Sequence, residues 1–202
     1  MIRILRWVVC TIVFGAALLS ANGGMRAACA QDASKPDAPS ADPSPAVKNT
    51  VGEILADSTS AVTLLALPMR GSYDQHTEGI MKLMSYAGPR GIVRDMPFGL
   101  YYNSPANTPA DSLRWDLCVP VPTGTPAEPP FVVREMPPLF VAEVICTGPY
   151  EGVTACFDAL SAWVEKNGYA IDGPCMEQWL GDPSTMPAEK LESRISFPIR
   201  KQ

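Results

Sequence analysis

A repeated pattern of residues restricts the folds open to this chain more than any other feature does. Gly71-Ser-Tyr73 recurs as Gly148-Pro-Tyr150, and Tyr102 recurs as Trp179, both at an offset of 77. Further along, the offset is 78 for three pairs: Pro109 and Pro187, Leu113 and Leu191, Pro120 and Pro198. Chance matches would scatter in offset, so we interpret these matches as an internal repeat. Because there are only two copies, the repeat is a duplicated module and not a long repeat array.

The two copies, residues 61–121 and 131–199, show the same order of elements. In the first copy, apolar patterns predict a strand at 61–67, a helix at 78–86 and strands at 98–102 and 113–121. In the second copy they predict strands at 131–134 and 139–147, a helix at 152–166 and strands at 175–180 and 192–199. A proline-rich connector joins the copies. The predicted fold class is therefore α+β: a pseudo-twofold duplication of two β-α-β-β units with a ligand cleft between them.

The first 30 residues have the pattern of a signal peptide. Arg3 and Arg6 precede an apolar run, and Ala28-Cys29-Ala30 is a cleavage site of the small-x-small type. We expect cleavage before Gln31 and a periplasmic or secreted protein; the alternative is an uncleaved N-terminal helix that anchors the chain. Residues 31–58 are predicted to be a disordered linker rich in Pro, Ala, Ser and Asp, with a short helix over 51–60 as the alternative, and 59–202 the folded domain.

The charge of the exported form argues against a nucleic-acid partner. The whole chain has 16 basic and 21 acidic residues, a net charge of −5. Removal of residues 1–30 takes away three arginines and no acid, which leaves 13 basic residues and a net charge of −8. Such a protein repels phosphate backbones. We predict a small-molecule partner, no nucleic acid, and membrane contact only through an uncleaved signal segment.

Four cysteines remain after the predicted cleavage. They are Cys118, Cys146, Cys156 and Cys175. In an oxidising compartment they allow two disulfides in three alternative pairings, and the sequence leaves the choice open. None of their spacings is CxxC, and His76 is the only histidine, so the sequence predicts no metal site. The chain also lacks a glycine-rich phosphate loop, and we expect no cofactor.

The copies differ at one strand position, and this difference marks the candidate site. At an offset of 77, Glu177 corresponds to Leu100. Because alternate residues of a strand share a face, the expected cleft wall combines several side chains. The set is Glu177, Trp179, Tyr102, Leu100 and Phe98, with Tyr150 from a glycine turn. A carboxylate among aromatic rings can hold a cation, or act as a general acid or base with a raised pKa. The alternatives to these site roles are that Glu177 lies on a solvent-exposed strand face and that Tyr150 only packs against its own turn.

Several motifs along the folded part point together to one family. They are Pro97–Pro105, Arg114–Val121, Gly148–Tyr150 with Phe157–Leu160, and Gly173–Pro183. In combination they resemble the gyrase-inhibitor-like (GyrI-like) small-molecule-binding family, which is related to the effector-binding domains of bacterial multidrug-responsive regulators. The resemblance implies a ligand cleft between two β-α-β-β units and lipophilic, often cationic, ligands. It implies Glu177 as the acid of the cleft and Trp179 as the aromatic residue that follows it.

These observations predict an exported small-molecule-binding protein for lipophilic or cationic ligands. The resemblance implies one alternative, a hydrolase of strained, cyclopropane-containing electrophiles in which Glu177 activates water. A structural or interaction protein is a further alternative. The sequence favours binding over catalysis and leaves the ligand, the turnover and the oligomeric state open.

Overall fold

A computed structural model describes residues 48–202 of the chain. The predicted signal peptide, and the predicted linker as far as residue 47, lie outside these residues. The described part has mixed α+β structure, with a large antiparallel sheet and two α-helices. Neither of these two helices has the length and the apolar run that crossing a bilayer requires.

Residues 48–202 form nine strands and two α-helices. The strands are β1 (Thr50–Ser58), β2 (Val62–Arg70), β3 (Phe98–Tyr101), β4 (Arg114–Pro120), β5 (Val132–Met136), β6 (Phe140–Thr147), β7 (Tyr169–Ile171), β8 (Cys175–Trp179) and β9 (Glu192–Lys201). The helices are α1 (His76–Ala87) and α2 (Thr154–Lys166). Every element predicted for the two copies is present, and apolar periodicity therefore located the elements correctly.

The central pair of the sheet is β3 and β8. The strand order is β1-β6-β9-β8-β3-β4-β2-β5, and β7 pairs with the C-terminal end of β9. All pairs are antiparallel. Outward from the central pair, β4, β2 and β5 follow on one side, and β9, β6 and β1 follow on the other. The group β2, β3 and β4 thus meets the group β6, β8 and β9 along β3 and β8. The end strands cross between the halves of the chain: β1 pairs with β6, and β5, assigned from the sequence to the second copy, pairs with β2.

Strand β1 corrects the predicted linker boundary. Residues 50–58, assigned from the sequence to a linker or a short helix, pair with β6. The sequence missed this strand because its side chains are almost all exposed, so it lacks an alternating apolar pattern.

The same register continues from β1 into β2. Ser58 lies opposite Phe140 at the end of β1, and Val62 lies opposite Met136 at the start of β2. At the join, the backbone N–H of Thr59 donates to the carbonyl oxygen of Leu139 at 2.8 Å. The segments β1–β2 and β5–β6 therefore form one continuous antiparallel ladder, which connects the two ends of the sheet.

The two helices pack on one face of the sheet, which we call the helix face. Helix α1 lies over β2 and β4, where Leu83 joins a core cluster with Leu117. Helix α2 lies over β6 and β9, where Leu160 joins a cluster with Ile195. A third cluster lies on the opposite face and consists of strand residues. Between the areas that α1 and α2 cover, the helix face carries the residues of the central strands.

One disulfide joins the second helix to the sheet. Cys146 of β6 bonds to Cys156 of α2, and Cys118 and Cys175 are free thiols. The sequence allowed two disulfides among these four cysteines, and the described residues contain one of them. A disulfide at this place limits how far α2 can move from β6.

Candidate functional site

The pairing of the central strands determines which residues share a face with Glu177. Gly99 lies opposite Glu177, and Tyr101 lies opposite Cys175. Directly opposed residues of an antiparallel pair point to the same side of the sheet. Glu177 and Tyr101 therefore lie together on the helix face. Leu100 lies opposite Met176 and points to the other side.

The predicted placement of Phe98, Leu100 and Tyr102 beside Glu177 is wrong. Phe98 and Leu100 are buried in the cluster of the opposite face. Tyr102 donates its hydroxyl hydrogen to Asp116 Oδ2 at 2.9 Å, on that same opposite face. The structure thus separates these three residues from Glu177 and Trp179.

The cause of this error is a register shift of one residue. In the β3–β4 hairpin Gly99 lies opposite Leu117, and in the β8–β9 hairpin Glu177 lies opposite Ile195. Both correspondences have an offset of 78, so the position matching Glu177 is Gly99 and not Leu100. A slip of one residue moves every side chain of a strand to the other face.

The carboxylate of Glu177 is buried and has hydrogen bonds on both oxygens. The residue is 6% exposed. The Tyr101 hydroxyl donates to Oε2 at 3.1 Å, and the Ser193 hydroxyl donates to Oε1 at 3.2 Å. Within residues 48–202, no lysine, arginine or histidine forms an ion pair with it. Glu177 is therefore a buried acid that has polar but not charged partners.

Gly99 provides the space through which Tyr101 reaches Glu177. A Cβ atom at position 99 would lie 2.6 Å from the Tyr101 hydroxyl oxygen and 2.7 Å from its Cζ. Real side chains do not approach so closely, so the tyrosine can occupy this position only because residue 99 is glycine. The difference between the two halves is thus glycine on one strand and glutamate on the other.

His76, for which the sequence indicated no partner, continues this contact. It is the first residue of α1 and is half-buried. Its Nε2 lies 2.9 Å from the Tyr101 hydroxyl oxygen. Because Tyr101 uses its one hydrogen on Glu177, Nε2–H is the donor in this contact when the glutamate is ionised. A chain of hydrogen bonds therefore leads from His76 through Tyr101 to the buried carboxylate.

Aromatic rings surround this chain on the helix face. The Tyr73 ring lies 4.9 Å from that of Tyr101, and the His76 ring lies 4.5 Å from that of Trp115 and 5.7 Å from that of Trp179. From α2, the Phe157 ring lies 6.4 Å from Tyr101. Trp179, a predicted site residue, is therefore beside Glu177 in space as well as in sequence.

Burial determines the ionisation of the three polar groups. It raises the pKa of Glu177, although the hydroxyls of Tyr101 and Ser193 act against this by stabilising the anion. It raises the pKa of Tyr101 well above the usual value, and the adjacent Glu177 adds to the rise. It lowers the pKa of His76. Burial thus favours the uncharged form of all three groups relative to the free side chains.

Tyr150 is hydrogen-bonded to the turn that follows β8. Its hydroxyl donates to the Gly181 carbonyl at 2.8 Å and accepts from the Gly181 N–H at 3.2 Å. The hydroxyl of Tyr73, its partner in the repeat, donates in the same way to the Asn103 carbonyl at 2.6 Å. These contacts give Tyr150 the turn-packing role that was the alternative to ligand contact.

The described residues do not contain a group of three or more His, Cys, Asp or Glu side chains placed to hold a metal ion.

Cys175 lies on the helix face two residues before Glu177, and burial raises the pKa of its thiol to about 11. This thiol is consequently protonated at neutral pH and a poor nucleophile.

A family profile and several solved structures match this chain. The profile, described as a GyrI-like small molecule binding domain, covers residues 59–200. Among curated proteins, none matches the chain.

The C-terminal domain of EcmrR is 16% identical, with a TM-score of 0.65 over 74% of this chain and 98% of that domain. In an EcmrR–DNA complex, the match spans 58% of the EcmrR chain.

Two further structures are similar in fold. A hydrolase from Listeria innocua is 12% identical, with a TM-score of 0.55 over 78% of this chain and 94% of that one. SAV2435 bound to tetraphenylphosphonium is 12% identical, with a TM-score of 0.50 over 73% and 94%. At these identities the likeness shows a common fold.

Replacing Glu177 by glutamine tests the ionisation of the site. Because its pKa is raised on folding, the carboxyl contributes a stability that is fully present below the unfolded value, near 4.5, and is lost as the pH rises through the folded value. Glutamine carries no such proton. We expect the free energy of unfolding of Glu177→Gln, relative to wild type, to increase as the pH rises from about 4.5 to about 8. The slope cannot exceed about 1.4 kcal/mol per pH unit for one proton.

Urea unfolding at a series of pH values measures this difference. The matched control is Glu192→Gln, which removes an exposed acid on the neighbouring strand β9. A Glu177→Gln difference that stays constant across the range, or that falls with pH, would show that the buried carboxyl does not have a raised pKa.

Proposed function

We propose, from the premise that this chain belongs to the GyrI-like small-molecule-binding family, that the protein binds lipophilic cations on the helix face. Helices α1 and α2 would form the two sides of the site, and β3 and β8 would form its floor. The observation that carries the proposal is the buried carboxylate of Glu177, which has aromatic neighbours and no charged partner among the described residues.

A bound cation would supply the charge that this carboxylate lacks. Taking a carboxylate out of water without a counter-charge costs free energy, which the raised pKa of Glu177 reflects. A lipophilic cation loses little hydration on entering such a site, and the face of Trp179 attracts it through a cation–π interaction. Since Glu177 is 6% exposed, a ligand that touches it must displace part of the aromatic cover.

Titration with tetraphenylphosphonium, followed by tryptophan fluorescence, tests this proposal; SAV2435 carries this compound in its solved structure. We expect saturable binding that Glu177→Gln weakens by about tenfold or more, because the substitution removes the negative charge that attracts the phosphonium, and an attraction of about 1.4 kcal/mol is a factor of ten in affinity. Neutral triphenylphosphine oxide should bind equally well to both proteins.

Glu192→Gln is the control for the loss of one acidic residue from the chain. It should bind tetraphenylphosphonium as wild type does. Equal affinity of Glu177→Gln and wild type for the cation, in folded protein, would contradict the electrostatic role of Glu177.

A second candidate function is hydrolysis of a strained electrophile, and the hydrogen-bonded chain of His76, Tyr101 and Glu177 favours it. Ionised Glu177 would accept a proton from a water whose oxygen bonds to the electrophilic carbon. The strained carbon–carbon bond breaks, its electron pair passes to the released carbon or to a conjugated carbonyl, and that site takes up a proton. The raised pKa of Glu177 makes its carboxylate a stronger base than a free glutamate, which suits a group that accepts and returns a proton.

Product analysis with a spirocyclopropyl dienone distinguishes this function from binding. Turnover predicts more than one equivalent of ring-opened alcohol per protein, with the rate reduced by at least about 100-fold in Glu177→Gln. Tyr101→Phe should change the pH profile of the remaining rate, since it interrupts the contact with His76. Capture of a single equivalent, or a rate unchanged in Glu177→Gln, would exclude the hydrolase.

The burial of Glu177 argues against an interaction role in which this residue contacts the surface of another protein. The prediction that nucleic acid is not a partner rests on the acidic charge of the chain. EcmrR is found with DNA, but this chain matches 58% of that protein, and DNA binding is not carried over from it.

We also propose that the protein is exported through its N-terminal segment. The Cys146–Cys156 bond supports this proposal, because disulfides form and persist in oxidising compartments. Mass spectrometry of protein recovered from the cell envelope or the medium should find Gln31 as the first residue and two thiols that react after denaturation. An intact Met1, or four reactive thiols after residue 31, would contradict export with cleavage.

A further inference from the structure

The opposite face of the sheet carries a surface pocket with a different chemistry from that of the Glu177 site. Its volume is about 600 Å³, within the range of small-molecule sites. It lies where the end of β2 and the start of β4 meet, next to β5 and to the residue after β3. Its lining residues include the polar side chains of Arg70, Arg114, Arg134 and Asp116 and the rings of Tyr102 and Pro68.

The centre of this pocket is a fixed group of three side chains. Asp116 is 3% exposed. Its Oδ2 accepts from the Tyr102 hydroxyl at 2.9 Å and from Arg134 Nε at 2.8 Å. The buried acid thereby holds the tyrosine ring and the guanidinium in place. Tyr102 remains 41% exposed, so its ring forms a firm, accessible wall.

Two further arginines at the pocket edge have no charged partner among residues 48–202. Arg70 and Arg114 lie directly opposite each other in the β2–β4 ladder. Among residues 48–202, neither makes an ion pair or a side-chain hydrogen bond from its guanidinium. Like charges directly opposite each other across a ladder are destabilising. An anion bound between the two guanidinium groups would therefore offset their repulsion and stabilise this part of the sheet.

The charge of the lining contrasts with the charge of the chain. Three arginines and one aspartate give the pocket a net charge of +2, whereas the whole chain has a net charge of −5. Guanidinium groups bind carboxylate, sulfonate and phosphate groups with paired N–H donors, and they stack on flat rings. The exposed faces of Tyr102 and Pro68 suit an apolar, flat body attached to such a group.

We propose that this pocket is a second ligand site, which takes small organic anions with a flat apolar body. Arg70 and Arg114 hold the anionic group, and Tyr102, fixed by Asp116, packs against the body. The site lies on the other face of the sheet from Glu177 and does not depend on the proposed cation site. The domain would then bind ligands of opposite charge on its two faces.

Calorimetric titration with 2-naphthoate and 2-naphthyl phosphate tests the proposal, with neutral 2-naphthamide as the matched uncharged compound. Either anion should bind saturably and at least about tenfold more tightly than the amide, as expected for charged hydrogen bonds. The double variant Arg70→Gln/Arg114→Gln should lose about tenfold or more of the anion affinity and none of the amide affinity. Both positions are exposed, so the variant should fold.

Two control proteins establish whether the anions bind in this pocket rather than elsewhere on the domain. Arg94→Gln/Arg200→Gln removes two exposed arginines outside the pocket and should bind the anions as wild type does. Glu177→Gln should also leave anion binding unchanged, so that failure of one proposed site does not imply failure of the other. The proposal is overturned if neither anion binds better than the amide, or if the Arg70→Gln/Arg114→Gln protein binds them within twofold of wild type.

Discussion

The contact between β3 and β8 is the constraint on which the rest of the domain depends. It joins the two halves of the sheet, and it places Gly99 opposite Glu177 on the helix face. Each helix covers the outer strands of its own half, so the central pair is the floor of the space between the helices. The one acid buried at this floor can stay there because Tyr101 and Ser193 donate to its two oxygens. Gly99 in turn provides the volume that the Tyr101 side chain needs.

The sequence predicted the order of the elements well, because apolar periodicity and glycine or proline stops occur in both predicted copies. It could not place the inserted residue that changes the offset from 77 to 78. Tyr101 and Tyr102 are adjacent, so Trp179 has an aromatic counterpart at either offset. The sequence alone favoured the wrong one, and the backbone pairing decided between them. Glu177 and Trp179 share a strand face, as alternate residues of one strand do, and their role in a ligand site stays a prediction.

The missed features all depend on contacts between distant parts of the chain. Strand β1 has few buried side chains, and it is a strand because β6 offers it a free edge. The contact of His76 with Tyr101 joins the start of a helix to a central strand, and no local pattern encodes it. The choice of Cys146 and Cys156 as partners follows from the packing of α2 on β6. In each case the residue types were visible in the sequence and their distance in space was not.

The continuity of β1 with β2 has a consequence for where this domain begins. The family profile starts at residue 59, but the outer edge of β6 is covered by residues 50–58. A chain shortened to the profile would leave the backbone N–H and C=O groups of β6 open along that edge. Unpaired edges recruit strands from other molecules, so such a fragment would tend to self-associate. The folded unit is therefore longer than the family pattern, because its edge is formed by β1, a strand with almost only exposed side chains, rather than by the partly buried β6.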